Sequence, residues 1–191
     1  SMGGGVINLF MTHVIDLFHW LGGGLVNCVQ ANSKILVTHR NSINGLLEVD
    51  AEDLVSAHMT LTNKLTTFCK ISNCHVDNLG MHLLLKGSDG KLIYTHRPPY
   101  TSETQEVKIS NLNGDSNQIF CAEDISKSNS DTRIESLRSI LKLFASNIHG
   151  EINLDLPTFR TGLNNQRVLE GVRVSVKSSG TLEIINSEEY L

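Results

Sequence analysis

Apolar positions along the chain follow two rhythms, one of three to four residues and one of two. Residues 6–21 keep the first. Asn8, Thr12, Asp16 and His19 form one narrow polar stripe on an otherwise apolar cylinder, the mark of a helix buried over most of its circumference. Gly22-Gly23-Gly24 then stops it, because three glycines oppose helix continuation and permit a sharp reversal. A hairpin is expected next, with 25–31 and 35–39 flanking a turn at Asn32-Ser33-Lys34, and a short strand at 46–49. Over 51–69, Leu54, His58, Leu61, Leu65 and Phe68 recur at helical spacing. Asp50 offers an N-cap, and Glu52 and Asp53 stand in the first turn, where the helix dipole favours acids. The β-branched threonines between Thr60 and Thr67 pull toward strand; the expectation is a helix.

Met81–Lys86 and Lys91–His96 form the clearest hairpin, looped at Gly87-Ser88-Asp89-Gly90 and ended by Arg97-Pro98-Pro99-Tyr100. Residues 101–131 are rich in Ser, Asn, Asp and Glu and read as a polar loop region, with one strand-like island at Ile119-Phe120-Cys121. A helix follows over 131–147. Ile134, Leu137, Leu141, Phe144 and Ile148 keep alternating spacings of three and four, Thr132 and Glu135 suit a capping box, and Gly150 stands just past the end. Beyond it, Ile152, Leu154 and Leu156 alternate with polar residues. Val172, Val174 and Val176, a turn at Lys177-Ser178-Ser179-Gly180, then Leu182 and Ile184 predict a closing hairpin within 151–186. The pattern describes one α+β domain over 1–191: a largely antiparallel sheet, three helices, an α/β core at 25–147 and additional C-terminal strands.

Composition narrows the partners. With 16 basic against 20 acidic residues the net charge is -4, and the basic residues are scattered; the densest stretch, Arg133, Arg138 and Lys142, is interleaved with Asp131 and Glu135. No nucleic acid is expected, and membrane contact is at most peripheral. The apolar run from Val6 to Leu21 is short for a membrane span and carries His13, Asp16 and His19. No targeting segment is read from the sequence. Cys28, Cys69, Cys74 and Cys121 suit reduced thiols in a chain long enough to fold without disulfide staples, so a cytoplasmic protein is expected.

The element order through residue 147 (helix, two strands, helix, three strands, helix) resembles the roadblock/LC7 domains and the related longin domains. The resemblance rests on Gly24–Arg40, Ala51–Cys69, Gly80–Arg97 and Asp131–Asn147. It implies a five-stranded antiparallel sheet with helices on its faces, dimerisation, and a GTPase-associated or trafficking scaffold without catalysis.

Candidate chemistry is thin. Cys69 and Cys74-His75, with His82, supply too few close ligands for zinc, which takes about four N/S donors; no metal is expected. Cys28 with His149 or His75 is the version of a Cys–His nucleophile to test, although Cys28 lies mid-strand rather than at a helix start. Gly87-Ser88-Asp89-Gly90-Lys91 mimics a phosphate loop, but Leu85 stands where its first Gly belongs and Leu92 follows Lys91. No catalytic residue and no cofactor are assigned. His13 and His19 are six residues apart, His19 on the polar stripe and His13 away from it; a hydrogen-bonded core or interface histidine is the default for each.

The first helix is the most informative feature. Phe10, Val14, Leu17, Phe18 and Trp20 are the expected partner or self-association surface. The sequence reading is therefore a non-enzymatic interaction module, with a protein partner or a second copy of itself. A self-assembling structural protein such as a viral matrix or capsid component, and a Cys/His-dependent enzyme, stand as the alternatives.

Overall fold

The computed structural model describes residues 4–75, 77–98, 100, 104–111, 116–119, 133–151 and 156–185. The N-terminal apolar run forms the expected helix, in two parts: a wide π-helical stretch, Ile7–Met11, and α1, Thr12–Gly22. Gly23 ends α1 in the left-handed conformation (φ 65°), donating its N–H to the His19 carbonyl, the role glycine fills without a Cβ penalty.

The chain that follows is more strongly β than its spacing suggested. Strands β1 (Val26–Lys34), β2 (His39–Ser42), β3 (Gly45–Glu48), β4 (Leu54–Leu61) and β5 (Thr66–Ser72) come in succession. Residues Asn32-Ser33-Lys34 are therefore not a turn; they complete β1, and the short hairpin is β2–β3, closed at Ile43-Asn44. The helix expected over 51–69 is the antiparallel pair β4–β5. Val55, Ala57, Met59 and Leu61 alternate inward on β4, a period-two face that buries more apolar surface than the helical set, whose His58 and Phe68 are exposed. The β-branched threonines favour the same outcome, and pairing with β1 fixes it.

In the second half, β6 (Met81–Gly87), β7 (Gly90–His96), β8 (Gln105–Asn111) and β9 (Ser116–Ile119) form an antiparallel meander in that order. The β6–β7 hairpin is as expected, with Gly87 opposite Gly90. Strands β8 and β9 run through what reads as polar loop; of the strand-like island there, Ile119 ends β9, and Phe120 and Cys121 lie outside the described residues. Helix α2, Arg133–Ile148, matches its prediction, and Gly150 (φ 93°) lies just past it. Thr132 of its expected capping box and the strand at Ile152 and Leu154 lie outside the described residues.

The closing hairpin is corrected to a helix. Residues Phe159–Lys177 form α3, and only Glu183–Ile184 is extended, as β10. Asn165, Val168, Leu169, Val172 and Ser175 are buried on one α3 face while Val174 is exposed, so the alternating valines serve a helical period. A reciprocal capping box starts α3: the Thr161 N–H donates to Thr158 Oγ1, and the Thr158 N–H donates to Thr161 Oγ1, each at 3.2 Å.

The chain divides into two units, 1–74 with 157–191, and 75–156. In the first, the antiparallel sheet β10-β1-β4-β5 is covered on one face by α3, with α1 and its π-helical lead packed on α3. Val6, Met11 and Ile15 from the N-terminal helix, Val29, Val55, Ala57 and Met59 from the sheet, and Val168, Leu169 and Val172 from α3 make its core. The second unit contains the β6–β9 meander and α2. The broad expectation of an α+β architecture with antiparallel sheets and three helices is met, with the third helix at 159–177 rather than 51–69.

Candidate functional site

Residues before and beneath the first helix fix its start. Gly5, at φ 97°, brings the backbone so close to the Glu52 carboxylate that a Cβ there would overlap it. Glu52 accepts the Val6 N–H through its carbonyl and the Ile7 N–H through Oε1, both at 3.0 Å. A carboxylate there closes orphan donors and meets the positive end of the helix dipole. Glu52 thus does sit at a helix start, but that of the first helix rather than one of its own. Its neighbour Asp53, 2% exposed, accepts the Leu36 and Val37 amides at 2.8 Å each. Burial pushes its carboxyl up, but those donors together outweigh it and hold the group below the usual carboxylate range.

The helix anchored this way turns Val6, Ile7, Met11, Ile15 and Phe18 inward. Its outer face carries Leu9, Phe10, His13, Trp20 and Leu21 exposed, with Val14 and Leu17 half-buried between them. Of the five residues expected to form a contact surface, Phe10 (46% exposed) and Trp20 (68%) lie open, whereas Phe18 (9%) belongs to the core. The π-helical stretch widens this face at Leu9 and Phe10; such insertions recur at functional sites. His13 sits one turn from Leu9 and Phe10 and one turn from Leu17, so an exposed imidazole lies amid apolar side chains.

Behind this face a polar cluster ties α1 to α3 and β1. Asn165 donates to Asp16 at 3.0 Å, and Arg173 donates to Asn8 at 2.6 Å and to Glu170 at 3.1 Å. His19 Nε2 accepts the Val26 amide at 3.1 Å. Burial pushes this imidazole below its ordinary value, against the opposing pull of Asn165 and the Asp16 charge.

Among the described residues Cys28, Cys69 and Cys74 are free thiols, and Cys121 lies outside them. Cys69 is buried, and burial pushes its thiol up to about 11 against a hydrogen bond with the Ala57 backbone. Cys74 Sγ lies 3.1 Å from Ser72 Oγ and 3.7 Å from the Asp53 carbonyl. Cys28 lies in β1 opposite Thr60 and Ile184. Among the described residues no group of three or more His, Cys, Asp or Glu could hold a metal ion, and no helix is long and apolar enough to cross a membrane.

Residues 2–184 match the C-terminal alpha/beta domain of the Gfo/Idh/MocA oxidoreductase family, and the chain belongs to that family. No curated protein matches it. Solved structures share the fold at low identity. An NAD binding oxidoreductase from Klebsiella pneumoniae superposes with a TM-score of 0.76 at 16% identity, covering 97% of this chain and 51% of its own. Levoglucosan dehydrogenase in complex with NADH and L-sorbose gives 0.73 at 16%, covering 96% and 50%. The transcriptional regulator Gal80p from Kluyveromyces lactis gives 0.76 at 13%, covering 96% and 48%. The chain thus spans about half the length of these relatives.

This membership overturns the roadblock/longin resemblance, which rested on an element order that contained a helix where β4 and β5 lie. It equally overturns the non-enzymatic scaffold reading and the lean away from an enzyme, because the matched family is one of oxidoreductases. The capsid and Cys/His alternatives gain no support.

The dinucleotide named with two of these relatives finds no Rossmann-type seat among the described residues. Every strand pair among the described residues is antiparallel, and no Gly-x-Gly-x-x-Gly turn leads from a strand into a helix. A pyrophosphate cradle of the Rossmann type needs both that turn and a parallel βαβ unit. The described residues do not supply such a cradle.

Proposed function

We propose that this chain is the substrate-facing half of an oxidoreductase acting on a hydroxyl or carbonyl group of a small polar substrate, and that His13 is its proton carrier. Family membership, and structural relatives such as the NAD binding oxidoreductase and the levoglucosan dehydrogenase holding NADH and L-sorbose, support the reaction class. The observation that carries the residue assignment is the position of His13, exposed on an apolar face of a helix whose start is fixed by Glu52. Oxidising a carbinol to a carbonyl would pass its C–H hydride to a nicotinamide acceptor and release its hydroxyl proton, and the reverse reaction would return both. An imidazole on a rigid element suits either task. Phe10, Val14, Leu17 and Trp20 supply apolar surface that another protein surface can cover to exclude water from that proton transfer. The free thiols of Cys28, Cys69 and Cys74 support a reducing compartment such as the cytoplasm.

The test is coupled nicotinamide turnover by the native polypeptide carrying this chain, over a panel of polyols, sugars and 2-hydroxy acids. Turnover with at least one class is expected. Nicotinamide binding without turnover on any of them would overturn the reading.

A further inference from the structure

We propose that His19 is a pH-operated latch: its neutral imidazole fastens the end of α1 to the start of β1, and its protonation releases that fastening. The geometry rests on one acceptor atom. Val26 opens β1 and is buried, and its amide donates to His19 Nε2 across the Gly22-Gly23-Gly24 reversal. A protonated Nε2 carries a hydrogen and cannot accept, so one proton both breaks the bond and leaves a buried donor without a partner.

The surroundings favour the neutral ring. On its own helix the imidazole faces Asp16, whose Oδ1 is already engaged by the Asn165 amide. From α3 it meets Asn165, which is 7% exposed and whose Oδ1 is buried without meeting hydrogen-bond geometry to any described partner. Asn164 and Arg167 line the same shallow depression, to which Leu25, Val26 and Ile185 bring backbone and apolar side chains. Burial outweighs the attraction of Asp16 and Asn165 for the imidazolium. As pH falls below the ordinary value of 6.5, the open state therefore takes up a proton before the closed state does. Opening is favoured by acid, and closure is fully recovered above 6.5. The latch is independent of the role given to His13, six residues earlier on the same helix.

The experiment is amide exchange of Val26 in the full chain at pH 7.5 and 5.0, corrected for intrinsic rates, with ring nitrogen resonances of His19 followed through the same range. The wild-type opening equilibrium is expected to rise about fivefold or more in acid, the counterpart of one lost hydrogen bond. Val26 protection that is equal at both pH values, or a ring whose Nε2 carries the proton at pH 7.5, would overturn the proposal. His19→Gln, which can accept the amide at any pH, is expected to abolish the acid-dependent rise; if it opens in acid as the wild type does, the latch is not His19. Should that variant fail to fold, the wild-type exchange and ring resonances decide the question alone.

Discussion

The two units of the chain use the same elements, antiparallel strands and amphipathic helices, to very different ends. In the first, α3 seals one face of a sheet, and the largest buried side chains (Met11, Ile15, Met59, Leu61 and Leu169) all lie there. In the second, no large apolar side chain among the described residues is fully buried. Leu83, Tyr94 and Val107 share a cross-strand row and are half-buried, while Leu137, Leu141 and Phe144 on α2 are exposed. Burial stabilises at roughly 25 cal/mol per Å² of apolar surface, so resistance to unfolding is concentrated in the first unit. The difference teaches that a strong hydrophobic period guarantees an element, not a core.

The sharpest way to break that comparison is a pair of truncations. Met59→Ala is expected to destabilise the protein by about 2–5 kcal/mol through the cavity it leaves. Leu84→Ala, at a half-exposed position on β6, should stay within about 1 kcal/mol. Denaturant midpoints check both, and equal losses would refute the contrast.

Smaller effects should follow where polar side chains replace missing strand partners in the first unit. Ser175 Oγ accepts the Ala31 amide at 2.9 Å and donates to the Thr181 carbonyl, standing in for a neighbouring strand that β10 is too short to supply. Ser175→Ala should cost about 1–3 kcal/mol by orphaning a buried N–H, read again from the denaturant midpoint. Asp53→Asn should cost about 1–2 kcal/mol by weakening the charge-assisted bonds to Leu36 and Val37. Because the folded-state value of Asp53 is depressed below 3.8, its contribution is present above that pH and is lost as pH falls through the folded value. The variant should therefore show a flatter acid limb in thermal unfolding than the wild type.

Much of this was legible in the sequence where one periodicity stood alone. The first helix, α2 and the β6–β7 hairpin each carry a single rhythm with its own stop signal, and each is found where expected. Residues 51–69 carry two. Leu54, His58, Leu61, Leu65 and Phe68 satisfy a helix, while Val55, Ala57, Met59 and Leu61 satisfy a strand. Local spacing cannot choose between them, and pairing with β1 does. Val172, Val174 and Val176 mislead in the opposite direction, since a two-residue period also fits a helix when Val174 is left outside. For the site, the outer face of the first helix was readable at Phe10 and Trp20, and the place of His13 off the polar stripe was visible. The roles of Glu52 and Asp53 were not, because their partners lie 45 and 16–17 residues away in sequence. The oxidoreductase family was unreadable for a simpler reason: no cofactor motif stands in this sequence.

The most direct test of the account is the turnover number of His13→Asn in the native polypeptide, with nicotinamide affinity measured beside it. A loss of about 10²–10⁴-fold in kcat, the usual scale of general acid–base catalysis, with unchanged nicotinamide affinity is the predicted result. An undiminished kcat would contradict the assignment and move the proton carrier to another residue.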